Sequence, residues 1–72
     1  MFTERFNEYM SRMQLTAYKV AKNTAISQGL MNEYKNGLKL PTIQNLIKIA
    51  DYLDCSVDYL LGRTDNPDSH KL

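Results

Sequence analysis

Between Gln28 and Asn36 the chain spaces amides and a carboxylate so that they share one side of a helix. At about 100° per residue, Gln28, Gly29, Asn32, Glu33 and Asn36 fall within an arc of about 140°. Leu30, Met31 and Tyr34 fall on the other side. An amide can donate and accept at once, so Gln28 and Asn32 can each pair with adenine through N6 and N7, and Glu33 can accept from cytosine N4. Gly29 carries no side chain and would let the helix backbone approach a base edge or a thymine methyl. A helix of about nine residues is a rod of about 14 Å, a length comparable to the width of the major groove. An ordinary solvated helix face can also carry amides and Glu, so this chemistry alone does not decide between the two.

The flanking charges favour the nucleic-acid reading. Residues 1–50 hold seven Lys/Arg and three Glu, a balance of +4, whereas residues 51–72 hold two Lys/Arg and five Asp, a balance of −3. Six basic residues and one acidic residue lie from Arg12 to Lys48. The basic end contains Lys19, Lys22, Lys35 and Lys39, which suit phosphate contacts, and these supply most of the affinity of a DNA-binding protein. Tyr18 is placed either to hydrogen-bond a phosphate or to pack on the surface.

Five helices, with no strands and short connections, are predicted to hold these residues. Phe2, Phe6, Tyr9, Met10 and Met13 form one apolar arc of a first helix over 2–13, opposite Glu4, Glu8, Ser11 and Arg12. Thr16 caps a second helix running to about Asn23, and Ser27 caps the third, which Asn36-Gly37 ends. Pro41-Thr42 starts a fourth helix through Leu53, with Ile43, Leu46, Ile47, Ile49, Ala50 and Leu53 on its core face. Its polar face holds Gln44, Asn45, Lys48, Asp51 and Tyr52. Ser56 caps a short fifth helix with Val57, Leu60 and Leu61 inward, and Gly62 ends it. The expected organisation is one domain over 1–62 and a polar tail over 63–72. Two short helices joined by a tight turn over 15–37 are the pattern of a helix-turn-helix.

With these residues in place, the chain resembles the DNA-binding domain of lambda-type phage repressors and Cro proteins, the Cro/repressor helix-turn-helix family. The resemblance rests on Leu15-Thr16, Val20-Ala21, Ile26-Ser27, Met31, Tyr34-Lys35-Asn36-Gly37, Pro41-Thr42, Leu46, Ile49-Ala50, Leu53 and Ser56 to Gly62. It covers residues 2–62 and implies an all-α, five-helix bundle that binds operator DNA as a homodimer. It further implies base contacts from Gln28, Gly29, Asn32 and Glu33, and backbone contacts from Thr16, Ala17, Lys35, Asn36 and Lys39. Ala17 stands where the family commonly has a phosphate-touching Gln. Ala25 and Asp54 stand where it has Gly, and Leu30 where it has a small hydroxyl residue. A left-handed Ala at position 25 would be strained by roughly 1–2 kcal/mol.

Other functions find little support. Seventy-two residues make one small domain, in which a deep substrate pocket is hard to build. The sequence has no Gly-rich phosphate loop, no Cys–His pair and no catalytic or metal-binding set, so no enzyme activity, cofactor or metal is expected. Cys55, the single cysteine, excludes an internal disulfide and reads as a buried hydrophobe. His70 is expected to be solvated. There is no membrane span or signal-peptide pattern, and a cytoplasmic location is expected. Tyr52 and the 56–61 helix are candidate dimer contacts. Two rival functions share the fold: an antitoxin paired with a toxin, and a protein-interaction or inhibitor module that has lost DNA binding.

Overall fold

The computed structural model describes residues 1–68, so the expectation for His70 lies outside the described residues. Its elements are α1 (Phe2–Arg12), α2 (Ala17–Thr24), α3 (Gln28–Lys35), α4 (Ile43–Leu53) and α5 (Val57–Leu60). Among the described residues there is no strand.

Each helix start after the first is fixed by a hydroxyl. Thr16, Ser27, Thr42 and Ser56 accept from the backbone N–H groups of Lys19, Leu30, Asn45 and Tyr59 at 3.0–3.2 Å. These bonds satisfy amides that have no partner within the helix. The helix ends share a second device. Gln14, Ala25, Gly37, Asp54 and Gly62 follow the five helices in chain order, and all have positive φ, between 57° and 79°. Behind Gly37, Leu38 N donates to Glu33 O at 2.9 Å and Gly37 N to Tyr34 O at 3.3 Å, a Schellman closure. Ala25 is left-handed, φ 60° and ψ 27°, so the turn is kept and the strain of the methyl absorbed, and Asp54 is left-handed at φ 57°. Gln14, at φ 58°, was not anticipated.

The core joins all five helices. Phe6, Val20, Met31, Ile49, Leu53 and Leu60 are fully enclosed. Phe2 stacks on Phe6 and meets the Tyr34 ring edge-on, coupling α1 to α3. Cys55 is buried, as expected. Tyr59 of α5, absent from the predicted inward set, is also buried and packs edge-on against Tyr9.

Four expected core positions are corrected: Met13, Ile43, Ile47 and Leu61 are exposed. Met13 caps the C-terminal end of α1, where residues 11–14 are all exposed. Ile43 and Ile47 lie on a flank of α4 where no neighbouring helix covers them, and Leu61 lies just past the end of α5. Tyr52 is corrected in the opposite sense. It is half-buried against the core, and its hydroxyl accepts from Asn23 Nδ2 at 3.4 Å, so it is not an exposed aromatic. Residues 63–68 fold back: Ser56 N donates to Pro67 O at 2.6 Å, and Asp65 pairs with Arg5 at 2.6 Å. The Arg5 guanidinium also lies 4.6 Å from the centroid of the Tyr59 ring. Its hydrogen bond to Asp65 raises its pKa above the ordinary arginine value.

Candidate nucleic-acid interface

The interface is built from α2, the Ala25–Ser27 turn and α3. On α3, Met31 and Tyr34 are buried and Leu30 is half-buried, which seats the helix on the core. Leu30, where the resemblance leads one to expect a small hydroxyl residue, packs inward. The Tyr34 hydroxyl accepts from Asn45 Nδ2 of α4 at 3.0 Å, and Asn7 Nδ2 of α1 donates to Lys35 O at 2.8 Å. Three helices therefore fix the orientation of α3: α1, α4 and α2, whose turn precedes it. Neither Asn7 nor Asn45 was predicted to matter to the site. Both bonds join residues far apart in the chain, so no local pattern announces them.

Gln28, Gly29, Asn32, Lys35 and Asn36 are exposed together, and Glu33 is partly exposed at their edge. A Cβ built at Gly29 meets nothing within 4 Å, so open space lies in front of the helix there. At the head of α3, Gln28 shares a cleft with Tyr18 and Lys22 of α2. Thr16, Tyr18 and Lys19 are exposed beside it. Among the described residues Lys19, Lys22 and Lys35 have no ion-pair partner, whereas Lys39 approaches Glu33 at 3.7 Å. An unpaired ammonium is free to exchange its counterions for a phosphate.

The Ala17 methyl falls on the same stripe as Val20 and Ala21 and is buried, so this residue offers DNA only its backbone N–H, at the first position of α2. The side chains exposed at the start of α2 are those of Thr16 and Tyr18. Among the described residues no group of three or more His, Cys, Asp or Glu could hold a metal ion. No helix among them is long and apolar enough to cross a membrane.

Residues 5–66 match the family described as the Cro/C1-type HTH DNA-binding domain. The chain belongs to this family. Among similar proteins, the cryptic phage CTXphi transcriptional repressor RstR of Vibrio cholerae is 35% identical over 69 residues, 96% of this chain and 62% of that protein. The uncharacterized HTH-type transcriptional regulator YobD of Bacillus subtilis is 32% identical over 68 residues, 94% of this chain and 61% of YobD. The chain thus spans about three fifths of the length of these relatives. No solved structure matches it. In Cro/C1-type terms, α2 and α3 are the two helices of the helix-turn-helix and α3 is the recognition helix.

Proposed function

We propose that this domain binds double-stranded operator DNA sequence-specifically and regulates transcription in the cytoplasm, as a repressor acting by occupancy. The observation that carries the proposal is the joint exposure of Gln28, Gly29, Asn32 and Lys35 on one rigidly held face, with Lys19 and Lys22 beside it. Gln28 and Asn32 read base edges, Gly29 admits close approach, and Glu33 reads at the margin. Thr16, Tyr18, Lys19, Lys35, Asn36 and Lys39, with the backbone N–H of Ala17, contact the DNA backbone and set the register. Two copies dock their α3 helices in successive major grooves about 34 Å apart on a near-palindromic site. An operator overlapping a promoter then excludes polymerase. The similarity to RstR, named as a phage repressor, supports repression over activation.

Fluorescence anisotropy of labelled duplex from the gene's own upstream region tests this, beside a scrambled duplex and at several salt concentrations. Tight binding to the native duplex that weakens steeply with salt is expected. Equal affinity for both duplexes, or none at low salt, overturns the proposal and favours a protein partner.

A further inference from the structure

The chain has six asparagines, and the fold sets one of them apart. Asn7, Asn23 and Asn45 each donate from Nδ2, Asn7 to Thr3 O and Lys35 O, Asn23 to Lys19 O and Asn45 to the Tyr34 hydroxyl. Asn32 lies inside α3, where the amide that follows it belongs to the helical ladder. Asn66 precedes Pro67, which has no N–H. Asn36 is exposed at the C-terminal cap of α3, and no side-chain hydrogen bond among the described residues holds its amide. Gly37 follows it, the one Asn-Gly pair of the sequence. Gly37 has no side chain to shield its nitrogen, and the bond from that N–H to Tyr34 O is long, at 3.3 Å.

We propose that Asn36-Gly37 is a site of spontaneous deamidation that lowers the DNA affinity of the domain as it ages. The Gly37 nitrogen attacks Cγ of Asn36. An N–Cγ bond forms, the Cγ–Nδ2 bond breaks, and the Gly37 amide proton leaves with Nδ2 as ammonia. Water then opens the resulting succinimide ring, at Cγ to give aspartate or at the main-chain carbonyl to give isoaspartate. Nothing is oxidised or reduced, and water is the only co-reactant.

The fold sets when the ring can close. Asn36 has ψ 1°, and closure needs the Gly37 nitrogen swung round to the side-chain carbon. The last turn of α3 must therefore open, releasing Gly37 N from Tyr34 O and Leu38 N from Glu33 O. Helix ends open at far lower cost than the core, so the reaction draws on local fraying and not on global unfolding.

The product changes the interface. A carboxylate at position 36 stands in sequence between Lys35 and Lys39 and at the negative end of the α3 dipole. Isoaspartate also lengthens the main chain by a methylene inside the turn that Leu38 closes on Glu33. The loss of affinity rests on the proposed operator binding, whereas the modification does not.

Ageing of the 72-residue protein at mildly alkaline pH, followed by intact-mass and peptide-mass measurement, tests the site without DNA. A gain of about one dalton is expected at Asn36, at least about tenfold faster than at any other asparagine. Isoaspartate should be found at the same position, and Asn36→Gln should remove the fast phase. A gain spread evenly over the asparagines overturns the proposal. So does no gain at Asn36 by the time a urea-unfolded sample has converted there. Anisotropy then reads the consequence: the aged protein and fresh Asn36→Asp should both bind the native and scrambled duplexes about tenfold more weakly than the fresh protein. Aged Asn36→Gln should keep the affinity that it has when fresh. Modification without loss of affinity overturns the ageing effect and keeps the site. A fresh protein that does not distinguish the native duplex removes the operator reading instead, and the mass measurement still stands.

Discussion

Asn7 Nδ2 lies 2.8 Å from the carbonyl oxygen of Lys35, so the first helix holds the last residue of the recognition helix. The same nitrogen donates to Thr3 O at 2.9 Å, which fixes the amide from its own helix. The Lys35 carbonyl is one of the groups a helix end leaves without an intrahelical partner. Asn7→Ala should lower stability by about 1–2 kcal/mol, read by urea denaturation. Asn7→Asp keeps the shape but cannot donate and should lose as much. Full stability in the Asp variant would show that the bond does not hold α3.

Gln28→Ala and Asn32→Ala should each weaken binding to the native duplex by about 1–3 kcal/mol and binding to a scrambled duplex little. Both side chains are exposed, so neither change should disturb the fold. Anisotropy on the two duplexes separates the effects, and equal losses on both contradict base reading.

Lys39→Ala should weaken both duplexes about equally and reduce the salt slope by about one. Glu33, which Lys39 approaches at 3.7 Å, then loses that cation and repels the DNA more strongly. Glu33→Gln in the Lys39→Ala background should recover part of the affinity without restoring the slope. An unchanged slope in Lys39→Ala would place Lys39 away from any phosphate.

Ala25→Gly should stabilise the domain. The left-handed methyl is strained by roughly 1–2 kcal/mol, and glycine loses about 0.5–1 kcal/mol of conformational entropy in exchange. A net gain of roughly 0.5–1 kcal/mol corresponds to a rise in Tm of about 4–8 °C per kcal/mol in a domain of this size. Thermal unfolding reads it directly, and a fall in Tm would mean that the turn needs the methyl.

The parts of the fold set by neighbouring residues were legible in the sequence. Thr16, Ser27, Thr42 and Ser56 announce helix starts because a hydroxyl three residues before a free amide is a local relationship. Gly37 and Gly62 announce ends for the same reason. The exposed amide face of α3 followed from periodicity and the resemblance together. Periodicity could not show which apolar residues of α4 find a neighbour, so Ile43 and Ile47 were placed in the core with Leu46 and Ile49. The inward turn of the Ala17 methyl follows from its place on the Val20–Ala21 stripe, which the resemblance alone does not show. The docking of Asp65 on Arg5 spans sixty residues of separation, and nothing near either residue predicts it.

Gly29 divides two kinds of selection. Because a side chain there would meet open space, the fold places no steric demand on its identity; under the proposed operator binding, that demand comes from the DNA. A duplicated copy of this gene could exchange Gly29 for Ser, Ala or Asn and acquire a different operator in a single step while folding as before. Divergence of target preference can therefore run ahead of divergence in the scaffold.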